Sequence, residues 1–420
     1  MRDRGAAGGL ARPMSMSVVV MCMGGVGHVQ ALLPLIGGLR ARGCEVHVLT
    51  DAAFQAKVES TGAHFIDLYR HHPLDAADAT SMPVPSRWVT FAAVYAEPLC
   101  VAVAALSPAV ILYDTFTLAA PVVARRLGLP YVNVCVHHAS PPARMRAALN
   151  ADPRVATSAA CRAAVRVLRD EHGMADANPF SYCEATSPHL NVYCGPEEFL
   201  PPADRAAFAP LAFFGSLGEP VDGPPGPAVF PTPRRGTRLY ASFGTVIWRY
   251  FEAIALDVLS AMSRAVAGRD IDVLVSLGGH PLPAAARASL VAANVQVVDS
   301  VDQLAALAEA DVFLTHHGIN STHEAILRGT PMLSYPFFGD QPGLARHCQE
   351  LGLAIALADA PLAPLDGPRL LAALERVARE RASFAARLAA ARAWELRTIA
   401  ARPLVLDRIL GLARAGAAPS

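Results

Sequence analysis

Lysine is almost missing from this chain. Lys57 is the only one in 420 residues, and nearly every basic side chain is arginine. With so much Ala, Gly and Pro, this bias reads more simply as the residue usage of a GC-rich genome than as a functional demand. Net charge is missing too. Lys+Arg and Asp+Glu both number 36, which excludes a general polyanion binder, because nucleic-acid binding leans on surplus basic side chains. The 8 cysteines are scattered, with no C-x-x-C pair and no short secreted framework; reduced thiols in a cytoplasmic protein fit best. No apolar run reaches the roughly 18 residues of a membrane span. The first residues, rich in Arg, Gly and Ala, lack the apolar stretch of a signal peptide. No stable membrane insertion is expected. What is present is apolar bulk, 53% of residues, in a chain too long for one core. Two domains of roughly 200 residues each are expected.

Short β-branched runs alternate with helical patterns. Strands are expected at Ser17–Met23, Glu45–Thr50, Ala109–Tyr113 and Tyr131–Val136, with helices at Val29–Arg42, Phe54–Thr61 and Leu118–Leu127. Such βαβα alternation predicts a parallel sheet with helices on both faces. The stretches Tyr69–Pro85 and His137–Pro188 break the rhythm and read as long loops that carry binding surface. After a cluster of Pro and Gly, the alternation restarts with strands at Arg238–Ser242, Ile271–Val275, Val295–Val298, Val312–Thr315 and Met332–Ser334; the last 55 residues read as helix. The expected layout is a disordered lead over 1–16 (or an over-long start, with Met14 or Met16 as alternatives). An N-terminal domain over 17–215, a semi-rigid linker over 216–236 and a C-terminal domain over 237–420 follow. The fold class is α/β, two doubly wound Rossmann-like domains facing across a cleft bordered by the carboxyl ends of both sheets.

Gly24-Gly25-Val26-Gly27-His28 lies between the first strand and its helix. A dinucleotide fingerprint, with Asp51 on a ribose, matches poorly: Gln30 stands at the third glycine position and His28 where a pyrophosphate would lie. His28 either caps the helix or faces solvent, or it serves as a general base for a hydroxyl. Asp114 follows a strand and emerges at the same sheet edge, where its carboxylate could fix the tautomer of His28. No G-x-S-x-G nucleophile elbow accompanies them, so the pair suits activation of a substrate hydroxyl. In the second half, the strand Val312–Thr315 runs into His316-His317-Gly318-Ile319-Asn320-Ser321-Thr322-His323-Glu324. A helix starting near Asn320, capped by Asn320 or Ser321, would offer free N–H groups and partial positive charge to a phosphate. His316 can add a hydrogen bond. A zinc cluster of His316, His317 and His323 lacks a second ligand set of usual spacing, so no metal and no cofactor are expected.

The run Asp311–Gln341, DVFLTHHGINSTHEAILRGTPMLSYPFFGDQ, resembles the donor-sugar signature of family 1 glycosyltransferases, enzymes of the GT-B fold that include antibiotic- and macrolide-modifying members. GGVGHVQALLPL, ILYDTF, VARRLGLPYVNV and YASFGT extend the resemblance over most of the chain. It implies that His28 is the catalytic base and Asp114 its orienting carboxylate. It also implies that His316, Gly318, Asn320 and Ser321 cradle a diphosphate, with Ser242, Gly244 and Thr245 as a second phosphate-side loop. Glu324 would take the ribose hydroxyls, Gln303 would lie near base and ribose, and Asp340 with Gln341 would grip the donor sugar. The family's Trp-x-Pro-Gln reads Ser300-Val301-Asp302-Gln303 here, so the stacking indole is missing and uridine against thymidine stays open.

The expected chemistry is inverting transfer of a hexose or deoxyhexose from a UDP- or dTDP-sugar to a hydroxyl of a small natural-product acceptor. The acceptor would sit on the N-terminal domain, with Trp88, His137 and His138 as contact candidates. Two other functions fit the fold: a nucleotide-sugar epimerase, and a non-catalytic transferase-like auxiliary protein. Retention of both the base and the sugar-gripping pair argues against the auxiliary role.

Overall fold

The computed structural model describes residues 15–74, 87–152, 155, 157–218, 228–230 and 234–416. The expected disordered lead thus lies almost wholly outside the described residues, as do the prolines and glycines of 219–227 and 231–233 in the expected linker. Among the described residues the N-terminal sheet has seven parallel strands in the order β3-β2-β1-β4-β5-β6-β7. They are β1 (Ser17–Met21), β2 (Glu45–Thr50), β3 (His64–Asp67), β4 (Val110–Asp114), β5 (Tyr131–Cys135), β6 (Leu190–Tyr193) and β7 (Leu211–Phe213). The second sheet has six parallel strands, β10-β9-β8-β11-β12-β13. These are β8 (Thr237–Ser242), β9 (Ile271–Ser276), β10 (Val295–Val298), β11 (Val312–Thr315), β12 (Met332–Ser334) and β13 (Ala354–Ala356).

The central strands are apolar along their length because both faces are covered. Val18, Val20 and Leu112 pack into one core while Val19, Met21, Ile111 and Tyr113 pack into another on the opposite face. In each sheet the chain winds outward on one side, returns, and winds outward on the other. The reversal falls between β1 and β4 in the first sheet and between β8 and β11 in the second. At such a switch point neighbouring loops diverge and leave a crevice. His28 and Asp114 flank the first; Ser242–Thr245 and His316–Ser321 flank the second.

Several expectations need correction. Half of the segment His137–Pro188 is helical, through Pro142–Ala151, Ala159–Asp170 and Ser181–Glu184. Small polar breaks between short amphipathic stretches disguised it as loop. Arg87–Ala104 is a helix, long and apolar enough to cross a membrane, yet Trp88, Val89, Ala92, Ala96, Leu99 and Val103 are buried in the core of the first domain. Strands β3, β6, β7 and β13, of 3 or 4 residues each, were not foreseen. The second-loop helix is Ile319–Arg328, and its cap is Gly318, not Asn320 or Ser321.

The final helix, Arg381–Gly416, crosses back to the first domain. Its buried Arg402 lies 4.8 Å over the Phe214 ring and donates to the carbonyls of Phe214 at 2.9 Å and of Leu217. Arg408 donates to the Leu211 carbonyl, and Arg42 of the first domain reaches Asp407. The two domains are therefore clasped behind the cleft as well as across it.

Candidate active site

His28 is the third residue of the helix Val26–Ala41, whose cap position, Gly25, has no side-chain bond. The imidazole is thus no cap. Its Nδ1 lies 3.3 Å from Oδ2 of Asp114, with His28 18% exposed and Asp114 fully buried. The carboxylate is anchored on every side. Oδ2 also accepts from the Met23 main chain at 3.0 Å and the Cys22 thiol at 3.1 Å; Oδ1 accepts from the Thr117 N–H at 2.9 Å and hydroxyl at 2.8 Å. Burial alone would raise its pKa, but the hydrogen bond and charge of His28, with the Cys22 and Thr117 donors, hold it below the ordinary carboxylate value. An ionised Asp114 assigns the Nδ1 proton of His28 and leaves Nε2 as the free lone pair. Asp51, the alternative ribose ligand, is occupied as a local cap, accepting from the Ala53 N–H at 2.8 Å.

The opposite wall is built by the loops after β8 and β11. Gly244, at φ +66°, and Gly318 leave room for His316. A methyl group on Gly318 would stand 2.5 Å from its Nε2, and one on Gly244 3.0 Å from its Cε1. Burial drives the His316 pKa down to about 4, so the ring is neutral, and its buried Nδ1 has no hydrogen-bond partner. The N–H groups at the start of Ile319–Arg328 open beside it. His317 and His323 turn away from the cleft. His317 bonds Thr322 and Ser334, and His323 pairs with Glu395 of the last helix. Deeper in, the Gln303 amide donates to the Ser321 hydroxyl at 3.0 Å and to Glu324, and accepts from Tyr240 at 3.3 Å. Burial raises the Glu324 carboxyl, partly offset by Gln303. Ser300 is exposed.

The two walls meet. Asn320 donates to the Gly27 carbonyl at 3.0 Å, joining the loop before His28 to the helix Ile319–Arg328. The His138 main-chain N–H donates to Asp340 Oδ2 at 2.7 Å. Asp340 is close enough to His28 for the imidazole charge to act on it. Gln341 accepts the N–H groups of Phe337 at 2.9 Å and Phe338 at 3.3 Å, which fixes its amide. Of the expected acceptor contacts, His137 lines the site: it shares the Phe116 ring with His28, at centroid distances of 5.3 and 4.9 Å. Burial, with the charge of His28, pushes its pKa to about 4. His138 faces Asp340 instead. Trp88 is buried behind Tyr69 and Phe91 and presents little surface. Sequence reasoning left Phe116 unassigned, although it lies two residues beyond Asp114; Tyr182, 5.4 Å behind it, gave no signal at all.

Comparison with known proteins agrees with this architecture. Residues 234–386 match the family described as UDP-glucoronosyl and UDP-glucosyl transferase. A zeaxanthin glucosyltransferase of Pseudescherichia vulneris is 32% identical over 129 residues, 31% of this chain and 30% of that protein. The oleandomycin glycosyltransferase of Streptomyces antibioticus is 38% identical over 99 residues, 21% of this chain and 23% of its own. The chain therefore spans less than a third of the length of these curated relatives. Among solved structures, the glycotransferase of kitacinnamycin superposes with a TM-score of 0.72 at 24% identity, over 94% of this chain and 100% of that one. The calicheamicin glycosyltransferase CalG4 gives 0.71 at 21% identity, over 97% and 100%. The fold is GT-B, and the resemblance to family 1 glycosyltransferases read from Asp311–Gln341 is borne out.

Proposed function

We propose that this chain is an inverting glycosyltransferase that moves a hexose or deoxyhexose from a nucleoside diphosphate to a hydroxyl of a small natural-product acceptor. The observation that carries the reading is the Asp114-oriented His28 facing, across a closed cleft, a helix start beside a buried neutral histidine. His28 Nε2 takes the acceptor proton as the acceptor oxygen attacks the anomeric carbon. The carbon–oxygen bond to the diphosphate breaks on the opposite face. The leaving charge is offset by the His316 ring and the N–H groups of Ile319–Arg328, with no metal required. Ser242, Gly244 and Thr245 close the phosphate side, Glu324 and Gln303 hold the ribose, and Asp340 with Gln341 holds the sugar. The acceptor lies against Phe116 and His137. Two neighbours of the same fold, VinC and SpnG, are described in complex with thymidine diphosphate, which supports a UDP- or dTDP-linked donor.

The test is incubation with UDP- and dTDP-hexoses and a panel of hydroxylated aromatic and macrocyclic acceptors, with products read by mass. General-base assistance is worth on the order of 10²–10⁴ in rate, so His28→Ala should lose that much turnover and still bind donor. Conversion of the donor to an epimer without any acceptor would overturn the reading.

A further inference from the structure

Resting on that reading, we infer that His138, although it belongs to the acceptor domain, is a positioning residue of the donor-sugar site and sets the carboxylate of Asp340. The bond at issue runs from the His138 main-chain N–H to Asp340 Oδ2, at 2.7 Å across the cleft. It commits one oxygen of Asp340 to the first domain and fixes the plane of the carboxylate.

The loop carrying that N–H is held by its own side chain. His138 Nδ1 lies 3.1 Å from the hydroxyl of Tyr193, which is buried at the end of β6. Its ring stacks at 6.4 Å on His347 of the second domain. Gly343 leaves just enough room, since a methyl group there would stand 3.3 Å from the ring. Burial lowers the His138 pKa, against the pull of Asp340, so the ring acts as a strut through its contacts with Tyr193 and His347.

The neighbouring Gln341 is fixed independently, its carbonyl taken by two main-chain N–H groups, so only its NH₂ faces a ligand. The pair therefore presents one rigid acceptor and one rigid donor. Two adjacent sugar hydroxyls satisfy both. A sugar deoxygenated or inverted at one of these carbons leaves a buried polar group unpaired, which is the strongest form of discrimination such a site has. Because the Asp340 contact crosses between domains, this selectivity exists only when the cleft is closed.

The experiment uses the full chain with two donors that share a nucleotide and differ at one hydroxyl, UDP-glucose and UDP-galactose. It is run on the wild type, His138→Ala, His138→Asn and Tyr193→Phe. Asn places an amide atom where Nδ1 stands and should rescue. His138→Ala and Tyr193→Phe should each lower the preference between the two donors by roughly five- to tenfold, the worth of one net hydrogen bond. UDP affinity by calorimetry and acceptor KM should be unchanged. An acceptor KM that rises while the donor ratio holds would place His138 on the acceptor side and overturn the inference, as would a donor ratio untouched in all three variants. Tyr193→Phe keeps the test valid if His138→Ala does not fold. A wild type that binds no nucleoside diphosphate refutes the underlying reading, which separates that failure from this one.

Discussion

Replacing Asp114 by Asn changes one atom and should silence the base. Five donors converge on the carboxylate: Met23 N–H, the Cys22 thiol and His28 on Oδ2, and the Thr117 N–H and hydroxyl on Oδ1. An amide keeps one oxygen. The Thr117 bonds, at 2.9 and 2.8 Å, are the shorter set, against 3.0 to 3.3 Å on the other side, so the amide oxygen should turn to Thr117. The NH₂ then faces Met23 N–H and His28 Nδ1. Met23 loses its acceptor, which costs about 1–3 kcal/mol of stability. His28 can meet the NH₂ only with a bare Nδ1, which moves its proton to Nε2, the atom that must accept. Turnover at saturating donor and acceptor should fall by about 10²–10⁴, comparable to His28→Ala. The decisive assay is the double-mutant cycle. If the two residues act as one device, the double variant should be little worse than either single one. Fully multiplicative losses, or an Asp114→Asn enzyme within about threefold of wild-type turnover while folded, would refute the dyad.

Three further outcomes follow from the same geometry. Burial depresses His137 and His316 to about 4 and lowers His138 as well, from the ordinary value of about 6.5, so from pH 6.5 down to 4 the unfolded chain binds protons that the folded chain refuses. Stability to urea should fall across that window. Asp114, lowered likewise, adds a loss of the same sign only below its ordinary value near 3.9, and an unfolding free energy that is flat from pH 7 to 5 would contradict the burial of these rings. If Glu324 holds the ribose as proposed, Glu324→Gln should raise donor KM roughly tenfold with kcat nearly kept, since such contacts serve ground and transition states alike; a loss confined to kcat would place Glu324 elsewhere. Arg402→Ala leaves buried carbonyls of Phe214 and Leu217 without a donor and should lower stability by about 2–4 kcal/mol, seen as a shifted denaturation midpoint.

What could be read from the chain depended on how local each signal was. Val312–Thr315 and Met332–Ser334 are short, mostly apolar runs, and they are strands with those bounds. Strand β6 contains Asn191, whose side chain bonds the Ser187 and Phe208 carbonyls inside the fold; only tertiary partners make a buried Asn tolerable there. The helix cap was misplaced for a similar reason. Asn320 is a good capping residue by type, but its amide is engaged by Gly27, 293 positions away, and the cap falls to Gly318. His28 and Asp114 were legible because β1 and β4 are parallel and end at the same edge of one sheet. The contacts of His138 with Asp340, Tyr193 and His347 had no signal in the sequence, because adjacency to His137 says nothing of which domain a loop residue faces.

That last point bears on how such an enzyme could couple binding to reaction. The His28 loop touches the helix Ile319–Arg328 through Asn320 and Gly27, and Asp340, the proposed sugar ligand, is bonded by the His138 main chain. Neither bond can form in an open cleft. The clasp at the back works differently: Arg402 and Arg408 bond carbonyls around β7, near the point where the chain passes between domains, and can persist while the front opens. A hinge behind and two polar latches in front would let the donor enter the open form and assemble the reacting geometry only on closure. Removing the Asn320 latch by Asn320→Ala should then lower kcat more than it weakens UDP binding, because the proposed nucleotide site is built from the second domain. Equal loss in both would mean that Asn320 acts chiefly as a phosphate ligand, and the division between hinge and latch would fall with it.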